Sequence, residues 1–187
     1  MNVPERILAA GVTLLHEQGL AALTQPRIAK AAGVSQSHLT YYFPTRNELL
    51  LAIAEHSVDQ ALSQQLAKPA ADPAQALAAA MRFLPRVRML LGLVVAADQD
   101  PALRDALVRL IAHVRHSIGQ LLAHLGYQPE APQVLVFHAA VVGLAVMHLG
   151  RQSPESEQEL ETGLAQLLAL LPHPFLPHPS LPGRSSP

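Results

Sequence analysis

The 187-residue chain contains no cysteine and no tryptophan, and only three tyrosines and four phenylalanines. Without thiols, disulfides, thiolate catalysis and cysteine-ligated zinc are all excluded. Charge is scarce as well: Asp, Glu, Lys and Arg make up 14% of the residues, and a net charge of −1 rules out a globally basic nucleic-acid binder. Any DNA-binding surface must therefore be local. Long apolar runs are few. Residues 131–150 carry no Asp, Glu, Lys or Arg and approach membrane-spanning length, but they include Pro132, Gln133, His138 and His148. A helix buried on two faces inside a bundle accounts for that run better, so no membrane partner is expected. Glu5 and Arg6 precede an amphipathic stretch, unlike the basic region and apolar run of a signal peptide, and the expected location is the cytoplasm.

Half the residues are hydrophobic, and with so few aromatics this composition points to an all-α bundle of closely packed Ala-, Leu- and Val-rich helices. Val3, Ile7, Ala10 and Leu14 recur at helical spacing, and Gly19 is expected to stop that helix in the left-handed conformation, with Leu20 folded back on Leu15. Thr24 as N-cap and Pro26 in the first turn start a short helix that Gly33 ends. Ser35 caps another short helix to about Tyr42, with Leu39 as its inward residue. Two short helices joined at a glycine resemble a helix-turn-helix. Thr45 and Glu48 form a capping box for a long helix, whose stripe of Leu49, Leu50, Ile53, Ala54, Val58, Ala61 and Leu62 runs to about Lys68. That helix can bridge head and body. Pro69, Asp72 and Pro73 then mark a break, and Pro85 splits the apolar segment 74–97 into two helices. Asp100 and Pro101 open a long helix that Gly126 closes, and two more helices cover 131–150 and 154–171. Glu155, Glu157, Glu159 and Glu161 suit the positive end of the last one. Nine helices are expected, followed from Pro172 by a segment too rich in proline for regular structure.

The run from Ile28 through Ala29-Lys30-Ala31-Ala32-Gly33-Val34-Ser35 and Tyr41-Tyr42-Phe43-Pro44-Thr45-Arg46 to Leu50 resembles the DNA-binding head of the TetR family. Ser37 departs from the usual Gly or Ala and Thr40 from the usual Tyr; both changes fall on the reading helix and bear on the operator sequence. The resemblance implies a helix-turn-helix DNA-binding domain over 1–46 and a helical effector-binding and dimerisation domain over 47–171, while the proline content of 172–187 makes that stretch a mobile tail. It also implies a homodimer through helices 131–150 and 154–171, double-stranded DNA and a small-molecule effector as partners, and repression as the usual outcome.

Physical chemistry adds detail. Residues 24–46 hold Arg27, Lys30 and Arg46 with no acidic residue, together with Tyr41, Tyr42 and Phe43. Gln36, Ser37 and His38 occupy the first turn of the reading helix, the part that approaches base edges, and Gln36 has the geometry to read adenine bidentately. Thr24, Gln25, Tyr41, Tyr42 and Arg46 are placed by the resemblance to hold phosphates, with Arg27, Ser35 and Thr40 completing the candidate surface. Effector candidates, chosen by position, are Phe83, Met89, Leu91, Val94, His113, His116, Phe137, His138 and Val141, each of which is also a core-packing candidate. Arg82, Arg86 and Arg88 flank Pro85 and offer cations to an acidic group. Ten histidines raise a metal hypothesis, with His113 and His116 on one helix face, but no motif of metal-ligand spacing accompanies them. With no nucleophile elbow or phosphate loop either, no catalytic residue, cofactor or metal is assigned. A small helical enzyme and a DNA-binding protein without an effector are the alternatives, separable by substrate turnover and by ligand-insensitive DNA affinity.

Overall fold

A computed structural model describes residues 2–67 and 73–172, among which nine α-helices and no strand occur. The expected tail beyond Pro172, and the break from Lys68 to Asp72, lie outside the described residues. Helix α1 (Val3–Gln18) begins with a reciprocal cap: the Asn2 side chain accepts from the Glu5 N–H at 2.9 Å, and the Glu5 carboxylate accepts from the Asn2 N–H at 2.9 Å. It ends at Gly19, though not in the expected left-handed turn. With φ +75° and ψ −175°, Gly19 adopts a conformation restricted essentially to glycine and leads directly into a 3-10 turn over Leu20–Ala22.

Helix α2 (Gln25–Ala32) is closed by Gly33, which is left-handed at φ 65° and ψ 39° and returns its N–H to the Ala29 and Lys30 carbonyls. Ser35 caps α3 (Gln36–Tyr42) by accepting from the His38 N–H at 3.1 Å. The expected capping box forms ahead of α4 (Arg46–Ala67): Thr45 Oγ1 accepts from the Glu48 N–H at 3.1 Å, and the Glu48 carboxylate accepts from the Thr45 N–H at 2.9 Å. Helices α5 (Pro73–Met81) and α6 (Leu84–Ala97) divide just before Pro85. Asp100 caps α7 (Pro101–His124) by accepting from the Leu103 N–H at 3.1 Å. Helices α8 (Ala131–Arg151) and α9 (Pro154–Ala169) complete the order.

Two apolar cores hold these helices. The first gathers Ile7, Leu15, Ile28 and Leu39 of the three head helices with Leu49, Leu50 and Ile53 of α4, and continues into Met89, Leu93, Leu103, Leu107 and Leu110 of α6 and α7. Packing is thus continuous from the head through the start of α4 into the body. The second core joins Ala74 and Ala78 of α5, Leu122 of α7, Phe137 and Val141 of α8, and Leu160, Leu164 and Leu168 of α9.

Helix α8 is long and apolar enough to cross a membrane by length and composition, with a mean hydropathy of 1.8, yet only 22% of that window is buried within the chain. One face, Phe137, Val141, Ala145 and His148, is covered by the chain's own helices. Leu135, Val136, Val142, Val146 and Met147 remain exposed, so the burial on two faces expected for this run is met on one face within a single chain.

Candidate nucleic-acid interface

The surface of α2 and α3 is assembled by their caps. Ser35 spends its hydroxyl on the His38 N–H, and the next three side chains, Gln36, Ser37 and His38, stand exposed on the first turn of α3. Leu39, fully buried, fixes the opposite face. Tyr41 is 77% exposed and Tyr42 is 38% exposed, a placement that costs apolar surface unless something covers it. Their rings meet edge to face at 5.1 Å, and His38 lies 5.5 Å from the Tyr42 ring one turn earlier. Lys30 and Arg46 are exposed on the adjoining helices.

Several polar residues are partly engaged within the head. Gln25 donates to the Phe43 carbonyl at 3.3 Å, tying the start of α2 to the end of α3. Arg27 donates to the Gln18 side chain. Thr40 returns its hydroxyl to the Ser37 carbonyl at 3.1 Å. Thr24 stands at the N-cap of α2 in extended conformation but makes no side-chain cap, contrary to its expected capping role, and is exposed. A threonine freed from capping has its hydroxyl available to a phosphate oxygen. Arg6, unassigned from sequence, reaches from α1 to the Ala32 and Gly33 carbonyls at 2.6 and 3.1 Å. Helical spacing marks Arg6 as outward-facing and carries no signal for a contact 26 residues away.

The effector candidates do not converge. Met89 lies in the first core and Phe137 with Val141 in the second, while Val94 is half exposed. His113 pairs with Asp59 of α4 at 2.7 Å, and His116 is exposed. His138 is half-buried, and burial, then the Arg115 guanidinium, hold its pKa below the ordinary histidine value. An apolar cleft of about 250 Å³ is lined by Pro132, Gln133, Val136, Phe137, Leu167, Leu170 and Leu171, and takes in Phe137 alone of the candidates. Helical periodicity locates an apolar residue on a face without saying which neighbouring helix that face meets. Among the described residues no group of three His, Asp or Glu lies close enough to hold a metal ion.

Phe83 instead joins body to head. Its ring stacks on His16 of α1 at 4.0 Å, the Arg86 guanidinium lies 5.3 Å from the same ring, and Arg86 Nε donates to the buried Ser57 of α4 at 2.9 Å. Burial lowers the Arg86 pKa, and burial followed by Arg86 lowers that of His16. The three arginines around Pro85 diverge, Arg82 to Glu161 of α9, Arg86 to Ser57, and Arg88 to Gln152.

A three-helix head with a capped reading helix, a basic stretch free of acidic residues from Thr24 to Arg46, and a helical body define a helix-turn-helix DNA-binding protein. Residues 7–53 match the model of bacterial regulatory proteins of the tetR family, and residues 70–170 match that of the tetracyclin repressor-like C-terminal domain. The chain is 30% identical over 181 residues to the HTH-type transcriptional regulator CymR of Pseudomonas putida, covering 89% of each. EthR of Mycobacterium tuberculosis is 37% identical over 68 residues, 35% of this chain and 32% of that protein. A solved transcriptional regulator from Rhodococcus sp. Rha1 superposes with a TM-score of 0.55 at 27% identity, covering 91% of this chain and 98% of that one. The multidrug binding protein EbrR, solved with ethidium, shares the fold with a TM-score of 0.58 at 23% identity over 89% and 98% of the two chains. The chain belongs to the TetR family of transcriptional regulators and is a DNA-binding protein, not an enzyme.

Proposed function

We infer that the protein is a cytoplasmic, ligand-released repressor, working as a homodimer on a pseudo-palindromic operator. The observation that carries this reading is the exposed first turn of α3, Gln36, Ser37 and His38, set beside Lys30 and Arg46 with no acidic residue between Thr24 and Arg46. In that arrangement Gln36 reads a base edge, and Thr24, Tyr41, Tyr42 and Arg46 hold phosphates on either side. Half-sites about one helical turn apart, roughly 34 to 36 Å, suit two such heads related by a two-fold axis.

The exposed apolar face of α8, with α9 beside it, supports pairing of two chains through these helices: a helix this apolar and only 22% buried in one chain gains most by covering the same face of another. The proposed domain division assigns residues 1–46 to reading DNA and 47–171 to binding effector and dimerising. A small apolar or amphiphilic effector is favoured because the cores offer aliphatic side chains and few aromatics for stacking. Selection of genomic fragments with the purified protein tests the reading. A palindromic consensus bound by a dimer is expected, and recovery of fragments with no shared sequence would contradict it.

A further inference from the structure

We propose that Arg6 is a positioning residue for DNA recognition, fixing the hinge of the helix-turn-helix from outside it. The backbone inventory at the end of α2 shows why a clamp is needed there. A helix leaves its last four carbonyls without intrahelical partners. The Gly33 N–H returns to Ala29 and Lys30, and the Val34 N–H takes Ala29 at 3.0 Å. Ala32 and Gly33, the two carbonyls at the bend itself, are the ones Arg6 Nη2 takes, at 2.6 and 3.1 Å.

The placement is electrostatically apt, since a guanidinium at the C-terminus of α2 meets the negative end of its dipole. It is also close. A Cβ built on Gly33 would stand 3.1 Å from Arg6 Nη2, so the bend and the guanidinium are in contact. Helices of eight and seven residues are too short to be stable alone and depend on packing and clamps for their orientation. Leverage makes the clamp matter for recognition: α3 is about 10 Å long at 1.5 Å per residue, so a hinge error of about 10° displaces its far end by about 2 Å. Gln36, Ser37 and His38, nearer the hinge, shift by less than that but turn through the same angle, and directional hydrogen bonds to base edges lose more by it than phosphate attraction does. Arg6 therefore acts on discrimination between sequences, through α3, without itself touching DNA.

The test uses a duplex selected by the unmodified protein from a random pool, a scrambled duplex of the same length, and a salt series, with circular dichroism and light scattering confirming folded dimers. Arg6→Met is expected to weaken the selected duplex roughly tenfold, as for loss of hydrogen bonds from a charged donor. The scrambled duplex and the salt slope stay unchanged. Arg6→Lys keeps the charge without the planar fork and is expected to lose about threefold of the preference at the same slope; it decides the matter should the methionine variant not fold. Two results overturn the proposal. One is equal weakening of both duplexes with a slope reduced by about 0.9 per half-site, the mark of a phosphate contact. The other is a folded variant, either methionine or lysine, with unmodified preference. The inference rests on α3 being the reading helix: no preference in the unmodified protein overturns that reading as well, whereas retained preference in Arg6→Met overturns only the role of Arg6.

Discussion

The two cores differ in what they tie together. The first binds the DNA head to α4, α6 and α7, and the second binds α5, α8 and α9 to the far end of α7. Helix α7 threads both, with Leu103, Leu107 and Leu110 in one and Leu122 in the other. The first core ends in a polar, basic surface, while the second backs a helix whose outer face is apolar. The two open faces differ in chemistry: one suits a phosphate backbone, the other an apolar surface. Helix α6 thus shares a core with the head, and the Phe83 ring on His16 adds a direct contact between body and head.

The sharpest contrast lies in two adjacent residues of α8. Val141 is 5% exposed and belongs to the second core, whereas Val142 is 46% exposed on the outer face. An unpaired carboxylate in a core costs several kcal/mol or more, so Val141→Asp is expected to abolish folding. Val142→Asp should fold and remain monomeric, losing operator binding; circular dichroism with light scattering checks both. A dimeric Val142→Asp would break the assignment of that face.

Glycines separate the cores next. A Cβ on Gly11 of α1 would stand under 3 Å from Ile53 Cδ1 and Cγ1 of α4, whereas one on Gly163 of α9 would crowd the two methyl tips of Leu144, at 2.9 Å, with Leu144 Cγ at an ordinary 3.5 Å. Gly11→Ala is expected to cost about 1 to 3 kcal/mol and to lower operator affinity by shifting α4 against the head. Gly163→Ala should stay within about 1 kcal/mol of unmodified stability, because the methyl tips turn aside and alanine favours the helix. Denaturant midpoints compare the two.

Much of this was legible in the chain itself. Caps and breakers are local signals, so Ser35, Gly33, the Thr45 and Glu48 pair, Pro85 and the Asp100–Pro101 pair place helix boundaries within a residue or two. The reading turn is equally local, because Gln36, Ser37 and His38 follow directly from the cap. What spacing did not carry is pairing between distant segments: Arg6 on the Ala32 and Gly33 carbonyls, Phe83 on His16, and the split of Met89 from Phe137 into different cores. Gly19 departs from the expected left-handed turn for a related reason, since a glycine after a helix signals positive φ but not which ψ the following turn requires.

At the DNA face, Gln36→Ala should relax preference at one base pair per half-site by about 1 to 3 kcal/mol. Arg46→Ala should weaken all duplexes alike and flatten the salt slope by about 0.9 per half-site. Selected consensus sequences and salt titrations check this pair. The smallest expected effect concerns acid. His138 and His16 have pKa values lowered by burial first, so the unfolded chain binds protons that the folded one resists. Stability is then full above the ordinary histidine pKa of about 6.5 and declines as pH falls from there toward the lower folded values. His138→Gln should shrink that decline in urea midpoints measured on either side of the window, leaving the His16 contribution.

Coupling between body and head is tested most directly by reciprocal titration. A ligand found by thermal shift is titrated into the protein with and without its operator duplex. If the first core carries the body's state to the reading helices, operator weakens ligand binding by the same factor, five- to 150-fold for a coupling of about 1 to 3 kcal/mol, by which ligand weakens operator binding. Equal ligand affinity in the two titrations would contradict it, however tight the binding, because a ligand without preference between states shifts neither.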